Sequence, residues 1–400
     1  MSSESHQVQA PPEIDDLGDA GFEGRAPKPG APIPVTGAWR EGDPVGHRRF
    51  AHVGALELER GGAIPDVTLA YETWGRLDEA RDNAVLVLHA MTGDSHICGP
   101  AGPGHPTAGW WTELVGPGAP VDTDRYFVVA PNILGGCQGS TGPASLAPDG
   151  KPYGSRFPFL TIRDTVAAEL RLADQLGIDR FAAAIGGSMG GMRVLEWAIM
   201  APERVGAIVP IATTAQSTAD QIAWASAQVG AIKADPGYCG GDYYDRAPGT
   251  GPHHGLSIAR QIAHTTYRSA FELDGRFGHD AQGSEDPLGG GGRYAVQSYL
   301  EYQASKLTIR FDANSYVVLS EATMSHDVGR GRGGVEAALA QITGSALVVA
   351  VDSDRLFLPA QAEVLAAGIP GAGPVHLVHS DYGHDGFLIE FDQLAPVIRD

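Results

Sequence analysis

Cysteine is scarce in this chain: 3 residues in 400, at Cys98, Cys137 and Cys239. An odd number at wide spacing makes neither a disulfide framework nor a zinc site, and a reducing cytoplasm is the expected compartment. Long apolar runs are also missing. No window of eighteen uncharged apolar residues exists, so no membrane span is expected. Met1 to Ala10 is polar and lacks the apolar stretch that a signal peptide needs. Positive charge is in deficit: 28 Lys and Arg stand against 48 Asp and Glu, a net charge of −20. That balance excludes nucleic acid as an expected partner, and any anionic ligand would need a local basic patch. Metal-binding spacings are absent too. His253-His254, expected to lie in a Pro/Gly loop, has no H-E-x-x-H or Cys/His companion, so no metal site is expected. The loop Asn132 to Pro143 is glycine-rich but lacks the Lys-Ser/Thr ending of a phosphate-cradling loop, and Cys137 within it is expected to be structural.

What is present is an alternation of strands and helices. Residues 1–45 carry many Pro, Gly, Asp and Glu and are expected to form a disordered or loosely ordered tail. Leu56–Arg60 and Val67–Trp74 read as two antiparallel strands around Gly61-Gly62. Ala84–Leu88 is a continuous apolar run, fit for a central strand buried on both faces. Tyr126–Ala130, Phe181–Ile185, Val205–Ile211, Ala346–Val351 and Val375–Val378 read as further strands. Helical spacing over Asp164–Leu176, Met192–Met200 and Gln361–Ala367 falls between them, with a closing helix through Ile398. This order implies βαβ units, an α/β fold and a mostly parallel sheet. From about residue 213 to 325 the rhythm breaks and helical patterns dominate, as at Ala219–Ala234, Leu256–Ala263 and Tyr294–Lys306. The domain reading is therefore a core of residues 46–212 and 326–400, with a helical lid inserted over 213–325 above the carboxyl edge of the sheet.

The chemistry centres on Gly186-Gly187-Ser188-Met189-Gly190. A G-x-S-x-G stretch between strand and helix is a nucleophile elbow. The turn is tight enough to strain the backbone at the serine and to exclude a Cβ two residues away on either side. It raises the Ser188 hydroxyl above the sheet and aims the next amide, that of Met189, at an oxyanion. Ser188 needs a base to become nucleophilic, and His384, after the last strand, can take and return its proton. A carboxylate must orient that imidazole. Asp352 and Asp354 both follow the late strand, and strand periodicity does not choose between them. The order Ser, Asp, His is that of an α/β-hydrolase fold.

Eight stretches carry a closer resemblance: His89–Asp94, Leu134–Ser140, Gly186–Gly191, Ala219–Ile222, Arg293–Leu300, His326–Arg332, Ser353–Phe357 and Tyr382–Phe387. Together they resemble the homoserine O-acyltransferases of the α/β-hydrolase superfamily, most of all the homoserine O-acetyltransferases, from about Phe50 to the C-terminus. The resemblance places the acid on Asp354 and the second oxyanion donor on the backbone of Met91, where the family usually has leucine. It places the arginine for the substrate carboxylate on Arg260, the partner of the substrate amino group on Asp385, and another pocket residue on Tyr267. The segment Ala247–His254, longer than usual in the family, precedes Arg260. It further implies acetyl-CoA as a co-substrate with no permanently bound cofactor, L-homoserine as acceptor, an acyl-serine intermediate, a role in methionine biosynthesis and a homodimer through the lid. Succinyl-CoA as donor, serine as acceptor, a plain esterase or thioesterase, and a non-catalytic binding protein are the competing expectations.

Overall fold

Strand β3 (Ala84–Leu88) is buried at all five positions, and its alternate side chains enter two different cores. Ala84, Leu86 and Leu88 pack with helix residues such as Val194, Leu195 and Trp197, while Val85 and Val87 pack with Trp110, Trp111 and Leu394. A strand covered on both faces is the signature of a parallel α/β sheet. The computed structural model describes residues 32–399. Along the chain come β1 (Arg49–Glu57), β2 (Ala63–Trp74), β3, β4 (Val115–Gly116), β5 (Val121–Asp122), β6 (Phe127–Pro131), α1 (Ile162–Gln175), β7 (Phe181–Gly187), α2 (Met189–Met200) and β8 (Val205–Ile211). Five helices follow: α3 (Ala219–Ala234), α4 (His253–Tyr267), α5 (Ala270–Phe277), α6 (Ala295–Thr308) and α7 (Ala313–Met324). The chain ends with α8 (Val335–Leu339), β9 (Ser345–Ala346), β10 (Val349–Val351), α9 (Pro359–Gly368), β11 (His376–Val378) and α10 (Phe391–Arg399).

The large sheet has the order β1-β2-β6-β3-β7-β8-β10-β11, with β9 beside β8 and a separate small β4-β5 pair. From β6 to β11 every pairing is parallel, and β2 alone is reversed, antiparallel to both β1 and β6. Local chemistry sets the helix starts. Thr161 and Asp164 form a capping box on α1, Thr218 and Gln221 another on α3, and Ser269 and Asp312 cap α5 and α7. No helix among the described residues is long and apolar enough to cross a membrane.

Four expectations change. The first strand is Arg49–Glu57 and not Leu56–Arg60, with Leu58 to Gly62 forming the turn into β2. The tail is not loose up to residue 45: Val35 and Ala38 join the apolar cluster of the inserted helices, and the Thr36 hydroxyl donates to buried Asp312 at 2.7 Å. Two small apolar side chains and one hydroxyl are a weak signal amid Pro and Gly, yet the first two extend a core and the third helps to satisfy a buried carboxylate. Residues 1–31 of the expected tail lie outside the described residues. His253-His254 opens α4 instead of lying in a loop, and Ala346–Val351 is two short strands, β9 and β10.

Candidate active site

β7 delivers Ser188 through a turn that glycine alone permits. Ser188 sits at φ 57°, ψ −124°, a left-handed conformation that costs a non-glycine residue about 1–3 kcal/mol. A Cβ on Gly190 would lie 2.0 Å from the Leu88 carbonyl oxygen, and one on Gly186 2.7 Å from the Gly190 backbone. The strained turn is held from outside: the Ser188 N–H donates to Ile211 O at 2.9 Å, and the Thr213 hydroxyl donates to Ser188 O at 2.8 Å. Met189 opens α2, so its N–H has no intrahelical acceptor.

His384 and Asp354 meet at 2.7 Å between Nδ1 and Oδ2, both almost fully buried. The other Asp354 oxygen accepts the N–H groups of Leu356 and Phe357, each at 2.8 Å. Asp352 points elsewhere, to the exposed His379 at 2.9 Å and the Ser380 N–H at 3.0 Å. Tertiary geometry thus separates the two acids that strand periodicity left open. Burial works against a charged imidazole at His384, but the Asp354 charge and hydrogen bond, with Asp385 behind them, more than offset it and hold its pKa above the ordinary value. The ring lies among Phe357, Phe387 and Tyr267, with centroids at 5.1, 5.4 and 5.8 Å.

One cavity gathers Ser188, His384 and Met91 with Arg260, Tyr267 and Asp385, the residues expected from the resemblance. Arg260 and Tyr267 come from α4 at a spacing of seven, one helical face. The Arg260 guanidinium sits 5.4 Å from the Tyr267 ring centroid, and its Nε has no hydrogen-bond partner among the described residues. Two further wall residues escaped the sequence reading. His264 lies between Arg260 and Tyr267 on the same face of α4, so the i, i+4, i+7 spacing was the available signal. Burial first, then the charges of Arg260 and Arg268, keep it neutral. Arg268, also buried, places Nε 3.3 Å from Asp385 Oδ2, so Asp385 already carries one counter-ion. Nothing in the sequence links positions 268 and 385; the pair exists only because α4 ends against the His384 turn.

Cys137 is buried, and its thiol is pushed up to about 12 chiefly by that burial, which suits a packing role. A second cluster was also not foreseen. Glu72, His96 and His105 place three possible metal-donor atoms within 4.8 Å of one another. Those atoms are engaged within the protein. The Ser95 hydroxyl and His96 Nδ1 bond to the Glu72 carboxylate at 2.7 and 3.0 Å, and the His47 N–H donates to His105 Nε2 at 3.0 Å. The His96 and His105 rings stack at 3.9 Å and 11°, with His96 Nδ1 3.0 Å and His105 Nε2 3.6 Å from the Glu72 carboxylate.

A serine on a strained strand-to-helix turn, a buried Asp–His pair and a cavity beneath an insertion define an α/β hydrolase-fold nucleophile enzyme. Residues 83–391 match the sequence profile of the α/β hydrolase fold. The homoserine O-acetyltransferase of Thermobifida fusca (strain YX) is 60% identical over 370 residues, 92% of this chain and 97% of that one. That of Clavibacter michiganensis subsp. michiganensis is 58% identical over 360 residues, 89% and 92% of the two chains. This chain belongs to the homoserine O-acetyltransferase family. Among solved structures, homoserine O-acetyltransferase from Bacillus anthracis shares the fold with a TM-score of 0.81 at 24% identity, over 88% of this chain and 96% of that one. Esterase E22 matches with a TM-score of 0.80 at 27% identity, over 88% and 98%.

Proposed function

We propose that the protein transfers an acetyl group from acetyl-CoA to the hydroxyl of L-homoserine through an acetyl-Ser188 intermediate. The observation that carries this reading is the composition of one cavity: a nucleophile and base share it with a guanidinium and a carboxylate, placed to take the two charged groups of an amino acid. In the first step Ser188 Oγ attacks the thioester carbonyl while His384 takes its proton. The tetrahedral oxyanion rests on the N–H groups of Met91 and Met189. The C–S bond then breaks, and coenzyme A leaves with the proton that His384 held. In the second step His384 removes the proton of the homoserine hydroxyl, whose oxygen attacks the acetyl carbonyl. Collapse returns the proton to Ser188 and releases O-acetyl-L-homoserine, a precursor for methionine biosynthesis. Asp354 keeps the imidazole in the tautomer that can accept a proton at Nε2.

Water competes for the acetyl-enzyme. Arg260 holding the acceptor carboxylate by two hydrogen bonds, with Asp385 on its ammonium and Tyr267 beside them, raises the effective concentration of the amino acid. Residues 213–325 act as the lid that keeps water out. The co-substrate is the only coenzyme required, and the compartment is cytoplasmic. Helix α3 leaves Ile222, Ala223 and Ala227 exposed on an apolar surface, which suits a homodimer through the lid; light scattering reads its mass directly.

The fold match to esterase E22 keeps hydrolysis as a second reading. Adding L-homoserine to enzyme and acetyl-CoA separates the two. Transfer predicts faster thiol release and a new ester. Thiol release that ignores homoserine and serine alike refutes it, and a parallel assay with succinyl-CoA tests the donor.

A further inference from the structure

Beneath the elbow lies a charged pair that the chemistry above does not use. Arg193, on the second turn of α2, is fully buried, as is Glu169 on α1. Arg193 donates through Nε to Glu169 Oε1 at 2.9 Å and through Nη2 to the same oxygen, while Trp197 Nε1 donates to Oε2 at 2.8 Å. Removing two such charges from water costs several kcal/mol per ion before pairing offsets it, so the pair is an expensive way to fill space. Its remaining arm leads to the catalytic edge: Arg193 Nη1 donates to the His89 carbonyl at 3.3 Å.

His89 is the residue from which the Met91 turn departs. Its Nε2 accepts the Ile133 N–H at 3.1 Å, which leaves Nδ1 to carry the proton and donate to Ala90 O at 2.7 Å. Burial, then the Arg193 charge, push its pKa down to about 3, so the ring stays neutral and this pattern is fixed. Gly190 meanwhile lets α2 press against the end of β3, where any Cβ would strike Leu88 O. The helix that presents the Met189 amide and the turn that presents the Met91 amide are thus braced to each other at His89.

We propose that the buried Arg193–Glu169 pair is a positioning device for the oxyanion hole, setting through the His89 carbonyl the separation of the Met91 and Met189 amides. This rests on Ser188 being acylated, as proposed above, but not on which acceptor follows. An oxyanion donor must lie about 2.7–3.1 Å from the developing charge, and the loss of one typically costs 10²–10³ in kcat. A donor displaced by a fraction of an ångström should cost roughly 10–100-fold, a lesser form of the same loss.

The test uses acylation by p-nitrophenyl acetate, which needs the oxyanion hole but no acceptor, beside full turnover with acetyl-CoA and homoserine. In the double variant Glu169→Met/Arg193→Met no charge is left unpaired, and such replacements are often neutral for stability. The expected result is a melting temperature near that of the wild type, acylation and kcat slowed about 10–100-fold, and a homoserine KM within about twofold. Arg193→Lys is the second arm. Its ammonium keeps Glu169 paired but lacks the fork that spans to His89, so acylation is expected to slow at least about tenfold without loss of fold. Wild-type acylation in either folded variant overturns the proposal and leaves the pair a purely structural one. Should the wild type show no acylation burst, the Ser188 reading itself fails, a separate outcome.

Discussion

Replacing Asp354 by Asn tests the assignment of the acid at the level of a single proton. In the structure one Asp354 oxygen accepts two backbone N–H groups, from Leu356 and Phe357, and the other faces His384 Nδ1 at 2.7 Å. The two N–H groups can only donate, so an asparagine must turn its carbonyl oxygen toward them. Its NH₂ then meets Nδ1, which has to become an acceptor. The imidazole proton moves to Nε2, the nitrogen that should receive the Ser188 proton. The side chain keeps its size and its place, so the fold has little reason to change. A catalytic triad with the tautomer reversed in this way loses about 10⁴ in kcat, roughly 5.4 kcal/mol at 1.36 per factor of ten. The charge that holds the His384 pKa up is lost as well. The assay is single-turnover thiol release from acetyl-CoA across pH, with melting temperature as the check on folding. Asp352→Asn is the control: this exposed carboxylate serves His379 and the Ser380 N–H, not the catalytic imidazole, and its asparagine can still accept from Ser380, so the rate should change less than about twofold. A fall of less than tenfold in the Asp354 variant, or an equal fall in both, would refute the argument.

Three further outcomes follow from the same geometry. Gly190→Ala drives a methyl group to 2.0 Å from Leu88 O, a backbone atom that cannot step aside; a loss of about 1–3 kcal/mol or more by chemical denaturation is expected, and unchanged stability would contradict the close approach. Arg260→Lys keeps the charge but loses the two-pronged grip, so the homoserine KM should rise about tenfold or more with the acylation burst intact; an unchanged KM argues against a carboxylate contact. Arg268→Met leaves the Asp385 charge without its built-in counter-ion beside His384. An uncompensated anion favours the imidazolium, so the His384 pKa rises further and the acid limb of kcat/KM moves to higher pH; a limb that stays put or moves lower refutes the coupling.

Much of the catalytic edge could be read without coordinates, because its constraints are local. A serine between two glycines, after an apolar strand and before a helix, has few conformations open to it, and the structure shows the strained φ of 57° that the motif demands. The same holds for β3, whose unbroken apolar run reports burial on both faces, and for the helices whose caps lie in their own first turn. Signals failed where a contact joins residues far apart in the chain. Val35, Thr36 and Ala38 look like linker, yet their partner Asp312 lies 276 residues beyond Thr36. Arg268 and His264 carry no motif and become wall residues only when α4 is laid over the elbow.

The amino-acid sequence alone determined the fold class and picked out a candidate nucleophile, a candidate base and a shortlist of two acids, because strand, turn and helix periodicities are short-range properties of the backbone. Tertiary structure decided what those residues touch. It turned Asp354 and not Asp352 toward His384, gave Asp385 the buried Arg268 as counter-ion, and set Arg193 behind the Met91 turn. Hydrogen bonds and ion pairs require angles and distances within a few tenths of an ångström, and such precision between distant segments arises only when the whole chain has packed.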